Sequence, residues 1–234
     1  LSACSGGEEA TQNIGGVPPQ GQSGSPIPPS PPPPPPEEPH DTGAAEASFT
    51  KIRNQREASR FLSRTTFGGT KTQLDALSGT DAVEFLKAEF EKPASLTLPS
   101  VLTVPRNENG NLPGSAASDV YWDQIITADD QLRQRMAFTL SQIVVYSDIA
   151  VADSSQRAYY QDILIRNAFG NYRDLLQDIT YSPAMANWLT YLRNQKGDPR
   201  TGRMPDENYA REILQLFSIG LFEMYPDGSP RLDA

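Results

Sequence analysis

The sequence predicts an all-α fold, an irregular single domain of several helices that follows a disordered, proline-rich N-terminal tether. Three observations point to this class. Apolar residues recur at steps of three and four along most of the chain after residue 50, which is the spacing of a helix face buried in a core. Only Ile143–Tyr146 is rich in β-formers, and it falls within a helical period. No internal repeat and no helix of coiled-coil length is visible, so the helices are expected to pack around one core.

Helical periodicity and breaker residues together define the predicted elements. The predicted helices cover the segments from near 49 to 64, 71–77, 80–91, 117–127, 129–147, 159–168, 172–181, 183–192 and 205–220. The segments 93–114 and 194–204 are rich in Pro, Asn and Gly or in Gly, Pro, Lys and Arg, and they predict loops. Ser182 followed by Pro183 predicts a helix start, with the serine as N-cap and the proline in the first turn.

Charge is distributed unevenly along the chain. The protein has 234 residues and a net charge of −9. Residues 1–50 contain six acidic residues and no Lys or Arg, so much of the negative charge belongs to this N-terminal part. The remainder is close to charge balance and shows no basic patch, so nucleic acid is not expected as a partner.

Residues 1–4, Leu-Ser-Ala-Cys, resemble a bacterial lipobox, in which the cysteine is acylated. Cys4 is the only cysteine, so no disulfide competes for it. The secretory signal that such a box closes would precede Leu1, and the natural start is therefore expected upstream. A lipid on Cys4 would anchor the chain to a membrane. The predicted location is the bacterial cell envelope, at the outer membrane and periplasm or at the cell surface.

Residues 5–49 predict a disordered linker. Twelve of the 21 prolines lie here among Gly, Ser, Gln and Glu, and this composition cannot bury enough apolar surface to offset chain entropy. Pro31–Pro36 predicts a polyproline II rod of about 19 Å. A spacer between membrane and domain is the plainest role, and a ligand for a proline-recognising domain is the alternative. His40, the sole histidine, lies in this linker and is not expected to be catalytic or to bind metal.

The residue types in the predicted domain, 50–234, exclude several kinds of active site. The domain contains no His and no Cys, so it cannot build a metal site from these ligands, nor a Ser-His-Asp or Cys-His arrangement. No metal and no cofactor is assigned. Carboxylates remain, and they can act in pairs on glycosidic bonds or bind Ca²⁺ or Mg²⁺. The candidate carboxylates are Asp174, Asp178, Asp206, Glu207 and Glu212.

The densest group of polar residues lies in the predicted helix 205–220. Glu207 and Arg211 are four apart and share a face, as do Asn208 and Glu212. Two interpretations stay open: a well-capped, ion-paired helix that packs into a core, or a helix whose polar residues face a cleft. Other residues that could line the cleft or pair with its acids are Asn194, Lys196, Arg64 and Arg135.

The same helix is expected to begin and end at recognisable residues. Pro205 suits the first turn, where its missing N–H is no loss. Leu214, Phe217 and Leu221 continue an apolar stripe, and Gly220 is a natural stop.

Four segments carry a resemblance to a known family: Arg60–Gly68, Asn167–Leu176, Ser182–Met185 and Pro205–Gly220. Together they resemble the bacterial domain of unknown function 1800 family. The resemblance implies a fold and an exported location, but no reaction. It also implies that the domain continues beyond this chain, which would hold its N-terminal part. Members are often encoded beside a secreted family similar to alkaline-phosphatase-like sulfatases, which implies a secreted partner protein.

Two functions are compatible with these observations. The first is an interaction or assembly module that binds a surface polymer, such as a polysaccharide, or a secreted partner protein. The alternative is a hydrolase of an envelope or extracellular polymer, with Glu207 or Glu212 as catalytic acid or base. Carboxylates open to a deep pocket would favour the hydrolase, whereas a Glu207–Arg211 ion pair on an open surface would favour the module.

Overall fold

Ten helices form the regular structure of residues 50–231, the part of the chain that this computed structural model describes. The helices are α1 Gln55–Thr65, α2 Lys71–Leu77, α3 Ala82–Glu91, α4 Thr97–Leu102, α5 Ala116–Thr127, α6 Gln131–Ser141, α7 Ser154–Arg166, α8 Tyr172–Thr180, α9 Pro183–Trp188 and α10 Asn208–Gln215. These residues form no strand, only isolated β-bridges. The all-α prediction is therefore confirmed. The predictions for Cys4, His40 and the linker 5–49 lie outside the described residues.

Local capping explains where five of these ten helices begin. A side-chain oxygen of the residue just before the helix accepts a hydrogen bond from a backbone N–H of the first turn, which satisfies a donor that the helix leaves free. The residues that do this are Asn54, Thr70, Asp81, Asp153 and Asn171. Ser182 and Pro183 take the predicted N-cap and first-turn positions of α9, although the Ser182 hydroxyl makes no capping bond.

The central element is α7, which packs against α4, α5, α6, α8 and α9. Its residues Tyr160, Leu164 and Ile165 are fully buried in the main core. The Tyr160 hydroxyl donates to the carbonyl of Val144 at 2.6 Å, so even the polar end of this ring is satisfied inside the core. A second, smaller core lies between α1, α2 and α3. All described residues belong to one compact unit.

Several predicted boundaries were wrong, each for a physical reason. Helix α4 lies inside the predicted loop 93–114, because the Asp162 carboxylate on α7 accepts from the amide of its first residue, Thr97. Helix α6 ends at Ser141 rather than 147, and the Val144 carbonyl turns to Tyr160. Helix α7 begins five residues early, where Asp153 caps it.

Three more boundaries differ from the prediction. The first helix starts at Gln55 because its cap is Asn54. Helix α9 ends at Trp188. Two residues later Thr190 has a φ of 60°, which lies outside the range of a right-handed helix. Helix α10 starts at Asn208, three residues after the predicted Pro205. Within residues 50–231 no helix is both long and apolar enough to cross a membrane.

Candidate functional site

Asp206 lies two residues before the first residue of α10 and binds its amide. The Asp206 carboxylate accepts from the amide of Asn208 at 2.9 Å and from the Thr190 hydroxyl at 2.7 Å. Both hydrogen bonds lower the pKa of Asp206, and the bond from Thr190 has the larger effect. Pro205 thus precedes the helix instead of standing in its first turn. The Asp206 carboxylate is occupied by these two hydrogen bonds, which explain its presence without any catalytic role.

The loop before α10 is joined to the helix by Asn194. Its side-chain amide donates to the Asp206 carbonyl at 2.7 Å and accepts from the Asp206 amide at 2.9 Å. The predicted proximity of Asn194 to this motif is therefore observed, although both ends of the side chain bind backbone. Lys196 is exposed, and its carbonyl accepts from the Arg203 side chain at 3.2 Å in a tight antiparallel turn.

Glu207 and Arg211 form an exposed ion pair. Glu207 Oε1 lies 3.8 Å from Arg211 Nη1, with the two side chains 80% and 53% exposed. Arg211 also donates to the Asn208 side chain at 3.4 Å. An exposed pair of this kind contributes at most about 1 kcal/mol to stability. The i,i+4 pairing was predicted correctly, and so large an exposure does not fit a carboxylate held in a deep pocket.

Glu212 approaches the same arginine but is largely buried. Its side chain is 19% exposed, and one oxygen lies 4.0 Å from Arg211 Nε. The other oxygen is buried without a hydrogen-bond partner among the described residues. Glu207 and Glu212 lie five positions apart, and both approach the guanidinium of Arg211. The two candidate acids thus differ in exposure, with Glu207 open to solvent and Glu212 largely buried.

Arg64 and Arg135 are used elsewhere. Arg64 is exposed in the last turn of α1. The Arg135 guanidinium lies over the rings of Phe67 and Phe138, 5.2 and 5.6 Å from their centroids. No hydrogen bond or ion pair within residues 50–231 joins either arginine to a candidate carboxylate. Aromatic rings, not acids, contact Arg135, and no local pattern in the chain predicts that contact.

The remaining candidate acids have structural surroundings. Asp174 is exposed in the first turn of α8, where the helix dipole favours negative charge. Asp178 accepts from the Asn167 side chain at 2.8 Å. Over the residues that the structure describes, no group of three or more His, Cys, Asp or Glu is placed to hold a metal ion.

Apolar residues around the end of α10 are unexpectedly exposed. Of the predicted apolar stripe, only Phe217 is buried, and its carbonyl accepts from the Tyr172 hydroxyl at 2.6 Å. Six large side chains are each more than half exposed, and we call them the apolar segment: Leu214, Leu216, Ile219, Leu221, Phe222 and Met224. Hydrophobic periodicity alone identified a stripe but not its exposure. Exposed clusters of this kind mark interaction surfaces more often than isolated exposed residues do.

The comparisons with known proteins identify the family. Residues 60–228 match the family described as a protein of unknown function (DUF1800). The chain belongs to the DUF1800 family. The match covers more than two thirds of the chain and includes α10 and the whole apolar segment. No curated protein and no solved structure matches the chain. The DUF1800 description names no reaction.

Proposed function

We propose that this DUF1800 domain is an interaction module that binds a secreted partner protein through the apolar segment and the adjoining polar face of α10. The observation that carries the proposal is the exposure of six large apolar side chains within eleven residues. Water-exposed apolar surface at this density is costly unless another surface covers it.

The free energy gained by burying the apolar segment indicates whether the interface needs other contacts. Burying a Leu, Ile, Phe or Met side chain contributes about 1.5–3 kcal/mol, so covering the exposed parts of six contributes about 5–10 kcal/mol. Association itself costs about 4–15 kcal/mol. The apolar segment alone therefore supports weak binding, and polar contacts to Glu207 and Arg211 at its side would supply orientation and further affinity.

A surface polysaccharide is the alternative partner for the same module. Hydroxyl-rich sugars would leave most of the apolar segment uncovered, so the exposed side chains favour a protein. The hydrolase alternative has less support. Both candidate acids, Glu207 and Glu212, approach the guanidinium of Arg211, and Glu207 stands on an open surface instead of in a deep pocket.

The location in the cell envelope is part of the same proposal and rests on the lipobox-like residues 1–4. A lipid on Cys4 would hold the module at a membrane. The Cys4→Ser variant of the full-length precursor is expected to move from the membrane fraction to the soluble fraction. Retention of Cys4→Ser in the membrane fraction would refute lipid anchoring, whatever the module binds.

Site-specific photocrosslinking in the native bacterium tests the interface. A photoreactive phenylalanine analogue replaces Phe222 in one strain and Ile149 in another. Ile149 is 95% exposed and Phe222 is 55% exposed. Random collisions would therefore crosslink position 149 at least as often as position 222, which makes Ile149 a stringent control. Irradiation is expected to give one discrete protein adduct at Phe222 and none at Ile149. The Leu221→Asp substitution is expected to abolish the Phe222 adduct without lowering the melting temperature of the protein.

Three outcomes oppose the proposal in different ways. A crosslink from Phe222 to another part of the same polypeptide means that the chain covers its own apolar segment. A carbohydrate adduct means that the polymer alternative is correct. Equal adducts at Phe222 and Ile149 mean that no specific interface exists here.

A further inference from the structure

A cavity lies between the N-terminal helices and the turn that joins α5 to α6. Its volume is about 980 Å³, at the upper end of the size of small-molecule sites. None of its lining residues belongs to α10 or to the apolar segment, so it is separate from the surface described above. Its apolar lining comes from α1, α2, α3, α5 and the loop after α1, and includes Leu62, Phe67, Leu77, Phe85 and Ile125.

The loop 66–70 forms one wall, and its backbone is fixed. Gly68 has a φ of +117°, which other residues rarely adopt. Gly69 lies so close to Leu62 that a Cβ atom would come within 2.3 Å of its side chain. The buried Thr66 hydroxyl donates to the Leu62 carbonyl at 2.7 Å and accepts from the Gly68 amide at 3.2 Å. This wall is therefore preformed, as binding sites for small molecules usually are.

The ring of Phe67 is held in place on this wall. Its neighbour Phe138 contacts it edge to face at 5.8 Å between centroids, and the Arg135 guanidinium lies 5.2 Å from its centroid. Phe85, across the cavity lining, is similarly fixed by an edge contact with Phe61 at 5.4 Å. Two fixed aromatic rings thus line the cavity.

Three charged side chains line the same cavity. Glu89 is buried, and it pairs with Lys92 and accepts from the Leu132 amide at 3.3 Å. Lys92 also donates to the carbonyl of Asp129 at 2.7 Å. The exposed Asp129 carboxylate makes no hydrogen bond and no ion pair within residues 50–231. Because Glu89 neutralises Lys92, Asp129 gives the lining side chains one net negative charge, while the Arg135 cation lies behind Phe67, outside the lining.

We propose that this cavity binds a small organic cation with an apolar body, of the aryl-alkyl-ammonium class. The apolar body would lie against Leu62, Phe85 and Ile125, where it loses contact with water. The ammonium group would pair with Asp129 at the rim. The ring of Phe85 favours a cation through its quadrupole, whereas Phe67 is already contacted by the Arg135 guanidinium. An anionic ligand would keep the apolar contacts but would lack the pairing with Asp129 and the attraction to the Phe85 ring. This inference does not depend on the proposed interaction module.

Calorimetric titration with three matched probes tests the proposal. The probes are 2-phenylethylammonium, its neutral analogue 2-phenylethanol, and the anion 3-phenylpropanoate. The ammonium is expected to bind saturably with a dissociation constant of about 1 mM or below. The alcohol is expected to bind about 5–10-fold more weakly, and the anion more weakly again.

Two pairs of variants locate the site. Asp129→Asn is expected to weaken the ammonium about 5–10-fold and to leave the alcohol unchanged, whereas Asp123→Asn on exposed α5 surface changes neither. Ala76→Trp places a large ring at the cavity lining and is expected to abolish binding of both probes. Ala88→Trp, exposed on α3 outside the lining, is its control. Circular dichroism melting establishes that each variant is folded.

The proposal is overturned by any of three results. The first is the absence of saturable binding by the ammonium. The second is binding of the alcohol or the anion as tight as that of the ammonium, which would remove the assigned ligand class. The third is unchanged ammonium binding in folded Ala76→Trp, which would place the probe elsewhere.

Discussion

The carboxylate of Asp162 caps a helix 65 residues earlier in the chain, and its removal gives the sharpest test of the fold. Asp162 Oδ1 accepts from the amides of Thr97 and Leu98 at 2.6 and 3.2 Å, the first two residues of α4. The residue at the local N-cap position, Leu96, offers no side-chain acceptor. Asp162 is fully buried, and Arg166 approaches its second oxygen at 3.7 Å.

Substitution of Asp162 by Ala leaves both amides of α4 without an acceptor. Thr97 is 1% exposed, so water cannot replace the lost hydrogen bond there. A buried donor without a partner costs about 1–3 kcal/mol, and a lost helix cap costs about 0.5–2 kcal/mol. Asp162→Ala is therefore expected to lower the free energy of unfolding by about 2–4 kcal/mol. For a domain of this size the melting temperature falls by roughly 5–15 °C.

Asp162→Asn separates the hydrogen bonds from the charge. The asparagine keeps an acceptor for both amides, so at acid pH its stability should stay within about 1 kcal/mol of the wild type. Burial raises the pKa of Asp162, against the opposing effects of the Thr97 and Leu98 amides and of Arg166. The ionised carboxylate is thus less favourable in the folded than in the unfolded state. The stability contributed by the protonated Asp162 side chain is complete below the unfolded pKa of about 3.9. This stability is lost as pH rises through the pKa of the folded state.

Thermal unfolding followed by circular dichroism at a series of pH values distinguishes these effects. The melting temperature of Asp162→Asn relative to wild type should rise as pH increases above about 4 and then level off. Asp123→Asn, at an exposed position on α5, should show no such rise. A melting temperature of Asp162→Ala within about 2 °C of wild type would refute the capping argument. A relative stability of Asp162→Asn that falls with pH would refute the direction of the pKa shift.

Two further substitutions test the core and a backbone conformation. Tyr160→Phe leaves the buried Val144 carbonyl without its donor, so urea unfolding should show a loss of about 1–3 kcal/mol in the free energy of unfolding. Tyr159→Phe, at a 39% exposed position, should show almost no loss. Equal losses in the two variants would contradict the role of this hydrogen bond. Gly68→Ala meets no atom within 4 Å, so its expected cost of about 1–3 kcal/mol comes from the φ of +117° alone. Gly114→Ala also meets no atom but has no such φ, and a similar loss there would remove the backbone explanation.

The helices that the sequence predicts well are those specified by nearby residues. Helix α2 begins at its own capping box, with Thr70 and Gln73 bonded to each other's backbone, and it spans the predicted 71–77. Helix α4 is the opposite case. Its sequence contains Pro99 and no local cap, so it resembles a loop, and its acceptor comes from Asp162 on α7. Long-range capping of this kind leaves no periodic signal in the chain.

The candidate site shows the same division between local and non-local information. The i,i+4 geometry of α10 predicted the Glu207–Arg211 pair, because helix spacing alone fixes which side chains are neighbours. It could not predict that Arg135 binds Phe67 instead of an acid, since that contact joins two distant segments. It also could not predict that Phe217 is buried while Leu214 is exposed, because exposure depends on which surfaces pack against the helix.

The way α10 is attached bears on the choice between the two functions. Tyr209 attaches the helix to its neighbours: its ring packs 4.5 Å from that of Tyr191, and its hydroxyl lies 2.5 Å from that of Thr180. Just after the helix, Phe217 is buried. Catalysis by a carboxylate pair requires both groups to be held within about 0.5 Å of a productive geometry by their surroundings. Among residues 50–231 the Glu207 carboxylate makes a single long ion pair on an exposed face, whereas a binding surface tolerates adjustment of such side chains on contact. The attachment of α10 therefore favours recognition over hydrolysis.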